Sequence, residues 1–233
     1  MKTYGRIGVV VPAGGSGVRF GANTPKQYIE IGGLPVIARC IKTALTLDNV
    51  VTIVVAAQIE QHVVLSEMLA RCGVRDARIH IVAGGYERQS SVYNALGHSS
   101  IDDTDVVAIH DAVRPFASPA LWTRVITEAF TTGAAIPVLP VTDTLKVVSD
   151  AVVTCTADRS SMYRAQTPQA FQTAIIRNAY ERALEEEYAG TDCASLCERV
   201  GVVVRCVSGE DRNIKITTAF DAVVAEAIFH GNC

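Results

Sequence analysis

The sequence predicts an α/β fold, with one mainly parallel sheet flanked by helices on both faces. Three observations predict it. Short apolar runs rich in β-branched residues recur at Ile7–Val11, Val50–Ala56, Arg78–Val82, Asp105–Ile109, Ala134–Val138 and Val202–Val207. Stretches with apolar residues three and four apart lie between most of them, at Val36–Leu47, Glu60–Arg71, Glu87–Gly97 and Pro119–Thr131. The two patterns alternate, and strands alternating with helices pair in parallel with right-handed crossovers. A run that is apolar at every position, such as Val9-Val10-Val11, suits a strand buried on both sides. Ligands of such sheets bind beyond the carboxyl ends of the strands. Chemistry-bearing residues are therefore expected just after each strand.

The totals agree with this class. The 233-residue chain has a formal charge of -3 and is 49% hydrophobic and 19% charged, enough apolar material for one sizeable core. No Pro/Gly/Ser-rich linker, internal repeat or low-complexity tract divides it, so residues 1–233 read as one domain. The near-neutral balance argues against general affinity for nucleic acid or membrane surfaces. No apolar run approaches the roughly 18 residues of a membrane span. Lys2 and Arg6 precede an apolar stretch, but that stretch is short and runs into Pro12 and a glycine cluster. It reads as a first strand rather than a targeting signal. Seven cysteines, at 40, 72, 155, 193, 197, 206 and 233, lack the doubled spacing of a zinc site. They read as reduced thiols of a cytoplasmic protein, some packed as small hydrophobes.

The first strand opens into a cluster of Gly14, Gly15 and Gly17, with Arg19 and Lys26 just beyond. Glycine permits close backbone approach, and successive N–H groups can cradle an anion. The phosphate-binding P-loop pattern fails, because no Gly-Lys falls in the required place. The dinucleotide fingerprint also fails. Counted from Gly15, its third glycine slot is Phe20, and the second strand ends Ala56-Ala57-Gln58 without a ribose-binding carboxylate. Two readings remain: a polyphosphate met by backbone donors and mobile cations, or a tight turn with solvated charges.

The third strand leads into "GGYERQSSV", where Gly84 and Gly85 precede Arg88 and Ser91. On its own this is also a capped helix start with Ser90 or Ser91 as surface polar residues. After the fourth strand, "HDAVRP" sets Asp111 at a strand end, as a Mg²⁺ ligand shared with phosphates or as a helix cap. His110 reads as structural rather than as a general base. Residues Val141–Thr156 alternate like a hairpin with its turn at Ser149-Asp150, part of a possible arm over 141–158. An apolar two-stranded arm needs a partner surface, which motivates a dimer; the alternative is a hairpin folded back on its own domain. Asp192 reads as the N-cap of a following helix. In Ile214-Lys215-Ile216, read as a strand, a lysine must be paired or functional.

The blocks "PAGGSGVRF", "TPKQY", "GGYERQSSV", "HDAVRPF", "TDTLK", "DRSSMYRAQTPQAF", "TDCASL" and "NIKIT" follow in this order over essentially the whole chain. In them the sequence resembles the sugar-phosphate nucleotidyltransferases, and within these the 2-C-methyl-D-erythritol 4-phosphate cytidylyltransferases of isoprenoid biosynthesis. The resemblance implies a Rossmann-like nucleotidyltransferase sheet with a protruding β-hairpin arm. It implies transfer of the cytidylyl group of CTP to the acceptor phosphate, with pyrophosphate leaving. Arg19, Lys26 and Lys215 would surround the reacting phosphorus. Pro12, Ala13, Gly14, Gly15, Gly17, Gly85, Arg88, Ser91 and Ala112 would contact the nucleotide, and Asp111 would hold Mg²⁺. Arg114 would contact the acceptor phosphate or fix its loop. Thr144 and Arg159 would grip that phosphate from the arm of a neighbouring subunit in a homodimer. Thr191, with Asp192, would recognise hydroxyls, and Asp211 is a further carboxylate candidate near the metal.

Two positions depart from the family pattern. Tyr86 stands where a small or acidic residue is frequent, and Cys193 where an acidic one is frequent; the latter is expected to leave the chemistry untouched. A ribitol-5-phosphate cytidylyltransferase would share the nucleotide loop and "HDAVRPF", but "GGYERQSSV" and "DCASLCERVG" look more like the methylerythritol branch. A nucleotide-binding module without catalysis would not need Arg19, Lys26, Asp111 and Lys215 together. An NAD(P)-dependent enzyme is disfavoured by the failed fingerprint.

Overall fold

Val9, Val10 and Val11 are each at most 1% exposed, and the sheet around them explains why. The computed structural model describes residues 5–15 and 25–231. The chain runs through β1 (Ile7–Pro12), β2 (Glu30–Ile31), β3 (Leu34–Pro35), α1 (Val36–Leu45), β4 (Val50–Ala57), α2 (His62–Arg71), β5 (Ile79–Ala83), α3 (Arg88–Leu96) and β6 (Val106–Ile109). It continues through α4 (Pro119–Thr132), β7 (Ala134–Pro140), β8 (Lys146–Ser149), β9 (Val152–Thr156), β10 (Tyr163–Ala165) and β11 (Gln169–Gln172). It ends with α5 (Thr173–Glu185), α6 (Cys193–Arg199), β12 (Arg205–Ser208) and α7 (Ala219–Phe229).

The main sheet has the order β10-β7-β11-β6-β1-β4-β5, with β12 also paired to β7. The strands β6, β1, β4 and β5 are mutually parallel, and β12 is parallel to β7. Val9 and Val11 face one layer with Ile53 and Val55, against α1, α2 and α4. Val10 faces the other with Val54 and Ala56, against α3, α5 and α6. The period of two thus divides one apolar run between two cores. No helix among the described residues is long and apolar enough to cross a membrane.

The sheet is mainly parallel, as expected, with an antiparallel part that the sequence did not reveal: β11 lies antiparallel between β6 and β7, and β10 pairs antiparallel with β7. Both strands are only three or four residues long, and their polar residues hid them. The last strand begins at Arg205 rather than Val202; Val202 and Val204 instead pack from a loop onto the α5–α6 side of the core. Ile214-Lys215-Ile216 is a loop and not a strand. Ile216 is buried and anchors that loop beside Val36, Val113 and Ala225.

The hairpin of β8 and β9 forms, and it stands clear of the body: every residue of both strands is exposed. Its turn falls one residue later than expected, at Asp150-Ala151, with φ of 49° and 63°. Positive φ at both central residues is the two-residue turn whose twist matches antiparallel strands. A shift of register between Val147 and Val148 adds an irregularity to the pairing.

Candidate active site

The strand order places the site. From β1 the chain moves outward to β4 and β5, then crosses to β6 on the other side of β1. The loops leaving β1 and β6 therefore diverge, and a crevice opens between them beyond the carboxyl ends of the strands. A cleft of about 290 Å³ occupies this place. Pro12, Ala13, Gly14, Gly15, Lys26, Arg88, Ser91, Asp111, Ala112 and Lys215 line it, together with Gln27, Tyr86, Glu87 and Val113. Gly17 and Arg19 lie outside the described residues.

The β1 turn is held from three sides. The Ala13 N–H donates to Ala56 O at 2.7 Å. Gln27, almost fully buried, donates to Ala13 O at 2.8 Å, and Gln58 donates to Gly14 O at 2.9 Å. A Cβ on Gly14 would lie 3.1 Å from Ser91 Oγ, so this glycine lets the β1 turn meet the loop before α3. In that loop the Gly85 N–H donates to Ser91 Oγ at 3.0 Å, and the hydroxyl donates on to Glu87 O at 2.9 Å. Ser91 is thus buried and braces the loop rather than facing solvent. Glu87 caps α3 in a reciprocal pair with Ser90.

Asp111 follows β6 and is 6% exposed. Its Oδ1 accepts from Arg88 Nε at 2.9 Å, and its Oδ2 lies 2.9 Å from Lys215 Nζ and 3.8 Å from Arg114 Nε. Burial alone would raise its pKa. The Arg88, Lys215 and Arg114 charges outweigh burial and hold the carboxyl well below the usual carboxylate range. The loop over residues 214–216 thus brings Lys215 to the cleft as a paired cation. Arg114 is directed to structure here: its Nη1 donates to Asn213 O at 2.7 Å and ties the β6 loop to the Lys215 loop.

His110 can be given a protonation state from its partners. Thr167 Oγ1 accepts from the Asp111 N–H at 3.1 Å, so its own proton points to His110 Nδ1 at 3.0 Å. The other ring nitrogen, Nε2, faces Arg114 O at 2.9 Å, an acceptor only, and must carry the hydrogen. Burial is the main cause that pushes the His110 pKa down to about 4. The ring is neutral and structural, packed 4.8 Å from the Trp122 ring centroid.

The remaining sequence candidates do not line this cleft. Thr144 is exposed just before β8, and Arg159 is exposed with its guanidinium donating to Thr142 O. Thr191 is exposed ahead of α6. Asp192 caps α6 by accepting from the Ser195 N–H at 2.9 Å and also accepts from Gln169 at 2.7 Å. Asp211 lines a separate hollow with Arg39, Phe116, Arg212 and Phe229, so it is not brought to Asp111. Sequence reasoning missed Gln27, whose role depends on where the turn carbonyls point. It also missed that Cys193 touches the site, through a 3.2 Å contact with Arg88 Nη1.

A cation-lined cleft at the switch point of a sheet covered on both faces places the chain among the α/β proteins whose ligands bind beyond the carboxyl ends of the strands. Comparison with known proteins narrows the class. The sequence profile described as "IspD: 2-C-methyl-D-erythritol 4-phosphate cytidylyltransferase" matches residues 7–231. A relative of that name from Syntrophus aciditrophicus is 41% identical over 223 residues, covering 95% of each chain. Another from Geotalea uraniireducens is 42% identical over 229 residues, covering 95% of this chain and 96% of its own. The crystal structure of 4-diphosphocytidyl-2C-methyl-D-erythritol synthase from Anaerococcus prevotii superposes with a TM-score of 0.84 at 31% identity, covering 97% of both chains. The chain belongs to the 2-C-methyl-D-erythritol 4-phosphate cytidylyltransferase family.

Proposed function

We propose that this protein joins CTP and 2-C-methyl-D-erythritol 4-phosphate to give 4-diphosphocytidyl-2-C-methyl-D-erythritol and pyrophosphate, in the cytoplasm. Family membership supports the reaction. The observation that carries it in this chain is the buried Asp111 carboxylate among Arg88, Lys215 and Arg114, in a cleft floored by the β1 turn. The acceptor phosphate attacks the α-phosphorus in line, and pyrophosphate leaves. It is already ionised and needs no base, which agrees with His110 being buried and tied on both ring nitrogens. Lys26 and Lys215, with Arg19, meet the charge that builds on the α-phosphorus. The N–H groups of the glycine turn hold the outer phosphates.

Asp111 would hold a Mg²⁺ ion. The donor set fits: two carboxylates, Asp111 and Glu87, line the cleft. One or two carboxylates suit an ion that fills the rest of its shell with phosphate oxygens and water. Bound there, such an ion would supply positive charge beside a departing pyrophosphate.

The arm gives a reason for a homodimer. Val147, Val148, Val152 and Val153 are 48–64% exposed, and an isolated apolar hairpin is marginal in water. A second subunit covering it would also account for Thr144 and Arg159, which reach no cleft in their own subunit. Their role is then to grip the acceptor phosphate of the neighbour, beside Thr191.

The test is pyrophosphate release from CTP and Mg²⁺ with methylerythritol 4-phosphate, with ribitol 5-phosphate and with no acceptor. Release with the first alone is expected. Release with ribitol 5-phosphate alone would keep the chemistry and change the acceptor. Silence with all three, in folded protein that binds CTP, would leave a binding module.

A further inference from the structure

Arg88 reaches the cleft from the first turn of α3, and two partners hold its guanidinium. Asp111 Oδ1 accepts from Nε at 2.9 Å, and Cys193 Sγ accepts from Nη1 at 3.2 Å. The two anchors come from the end of β6 and the start of α6.

The sulfur is in a fixed place. Cys193 is fully buried, and Sγ also meets the hydroxyl of buried Tyr180 at 3.3 Å. Gln169 Oε1 accepts from the Cys193 and Ala194 N–H groups at 3.2 and 3.3 Å, and Asp192 caps the same turn. Cys193 therefore cannot follow Arg88 if the arginine moves. A long side chain held at one end keeps most of its rotamer freedom, whereas one held at both ends presents a single edge. Here the free choice of Arg88 is removed by the thiol, and the edge it presents is the one that pairs Asp111.

We infer that Cys193 is a positioning residue for the proposed reaction: its thiol fixes Arg88, and through it the Asp111 carboxylate, in the arrangement that receives the nucleotide. The inference rests on the proposed reading of the cleft. It involves no change in the covalent state of the thiol.

The experiment compares Cys193→Val with Cys193→Ser. Valine fills a similar volume and removes the acceptor; serine keeps one. Pyrophosphate release gives kcat and KM for CTP, and thermal unfolding gives Tm for each protein. The Val variant is expected to lose about tenfold in kcat/KM for CTP, mainly through KM, as befits a lost hydrogen bond to a charged group. The Ser variant is expected to stay within about threefold of wild type, because the bond is kept in altered geometry. In an Arg88→Lys background, which lacks the Nη1 donor, Cys193→Val should add no further loss. If the Val variant fails to fold, Cys193→Ala is read in the same way.

Wild-type kcat/KM in a folded Val or Ala variant would overturn the inference. So would losses that track Tm in both the Val and Ser variants, or an undiminished loss in the Arg88→Lys background. A wild-type protein that turns over no acceptor would overturn the reading of the reaction, and this inference with it.

Discussion

Asp111 shows how one side chain acquires its properties from neighbours distant in sequence. Arg88 and Lys215 lie on either side of it in the chain; Arg88 meets it because α3 packs over β1, the neighbour of β6, and Lys215 because its loop is tied to Val113 and Arg114 after β6. Removing Lys215, whose side chain is 40% exposed and caps the cleft rather than the core, should spare the fold. Lys215→Ala, and likewise Lys26→Ala, is expected to lower kcat by roughly 10²–10³, as for the loss of other preorganised donors. Steady-state kinetics alongside thermal melting checks this; wild-type turnover in either variant would remove that lysine from the mechanism.

His110 gives a pH prediction with a definite sign. Its folded pKa of about 4 lies below the ordinary histidine value of 6.5. Between these values the unfolded chain takes up a proton that the folded chain refuses, so stability rises with pH across this window. It is therefore fully present above about pH 6.5 and falls by up to roughly 3 kcal/mol as pH drops through 4. Urea unfolding at pH 7.5 and 4.5 measures it. A His110→Gln variant should lose less stability between the two pH values than wild type does; an equal loss would assign the effect to other groups. The residue-level legibility was uneven. Asp111, Arg88 and Lys215 stood out as strand-end or misplaced charges, whereas the link from Cys193 to Arg88 spans 105 residues and left no local mark.

At the scale of elements, the sequence marked those whose pattern is long. The strands β1, β4 and β6 are apolar at every position but Thr52 because both faces are covered. The short strands β10 and β11 escaped, since their residues alternate too briefly to be distinguished from a loop. Helix α7 carried a signal that was not used: Thr218 and Asp221 form a reciprocal cap at its start, the spacing expected of a capping box. This helix packs over the β2–β3 turn, and Glu226 accepts from the Gly32 N–H at 3.0 Å.

That turn provides a matched pair of tests. Gly32 and Gly33 have φ of 54° and 70°. A Cβ at Gly32 would strike the Phe229 ring, whereas one at Gly33 meets nothing within 4 Å. Gly33→Ala therefore carries only the left-handed backbone cost of about 1–2 kcal/mol. Gly32→Ala adds displacement of α7, and its Tm should fall clearly below that of Gly33→Ala. Equal melting temperatures would show that Phe229 moves aside freely.

The molecule as a whole combines a sheet covered on both faces with an uncovered arm. The alternation of strands and helices made the first legible; the second was visible as a change from helical spacing to period two after Val141. Which surface would cover the arm is not written in local pattern; under the proposed dimer it belongs to a second copy of the chain. Val147→Asp combined with Val152→Asp places charge on the exposed arm without touching the core. The expected result is a shift from dimer to monomer in light scattering after size exclusion. Acceptor-dependent turnover should fall with it, since Thr144 and Arg159 would no longer reach a neighbour. A monomeric wild type would contradict the dimer and leave both residues without a task.

The central claim is that the cleft beyond β1 and β6 transfers a cytidylyl group to a phosphate. Following CTP and methylerythritol 4-phosphate by ³¹P NMR with Mg²⁺ and catalytic amounts of the protein tests it most directly. The account predicts that the three CTP signals give way to pyrophosphate and to a coupled pair from a new diphosphate diester, with the acceptor's monoester signal lost in step. Unchanged spectra, or conversion of CTP to CDP or CMP while the acceptor signal persists, would contradict it.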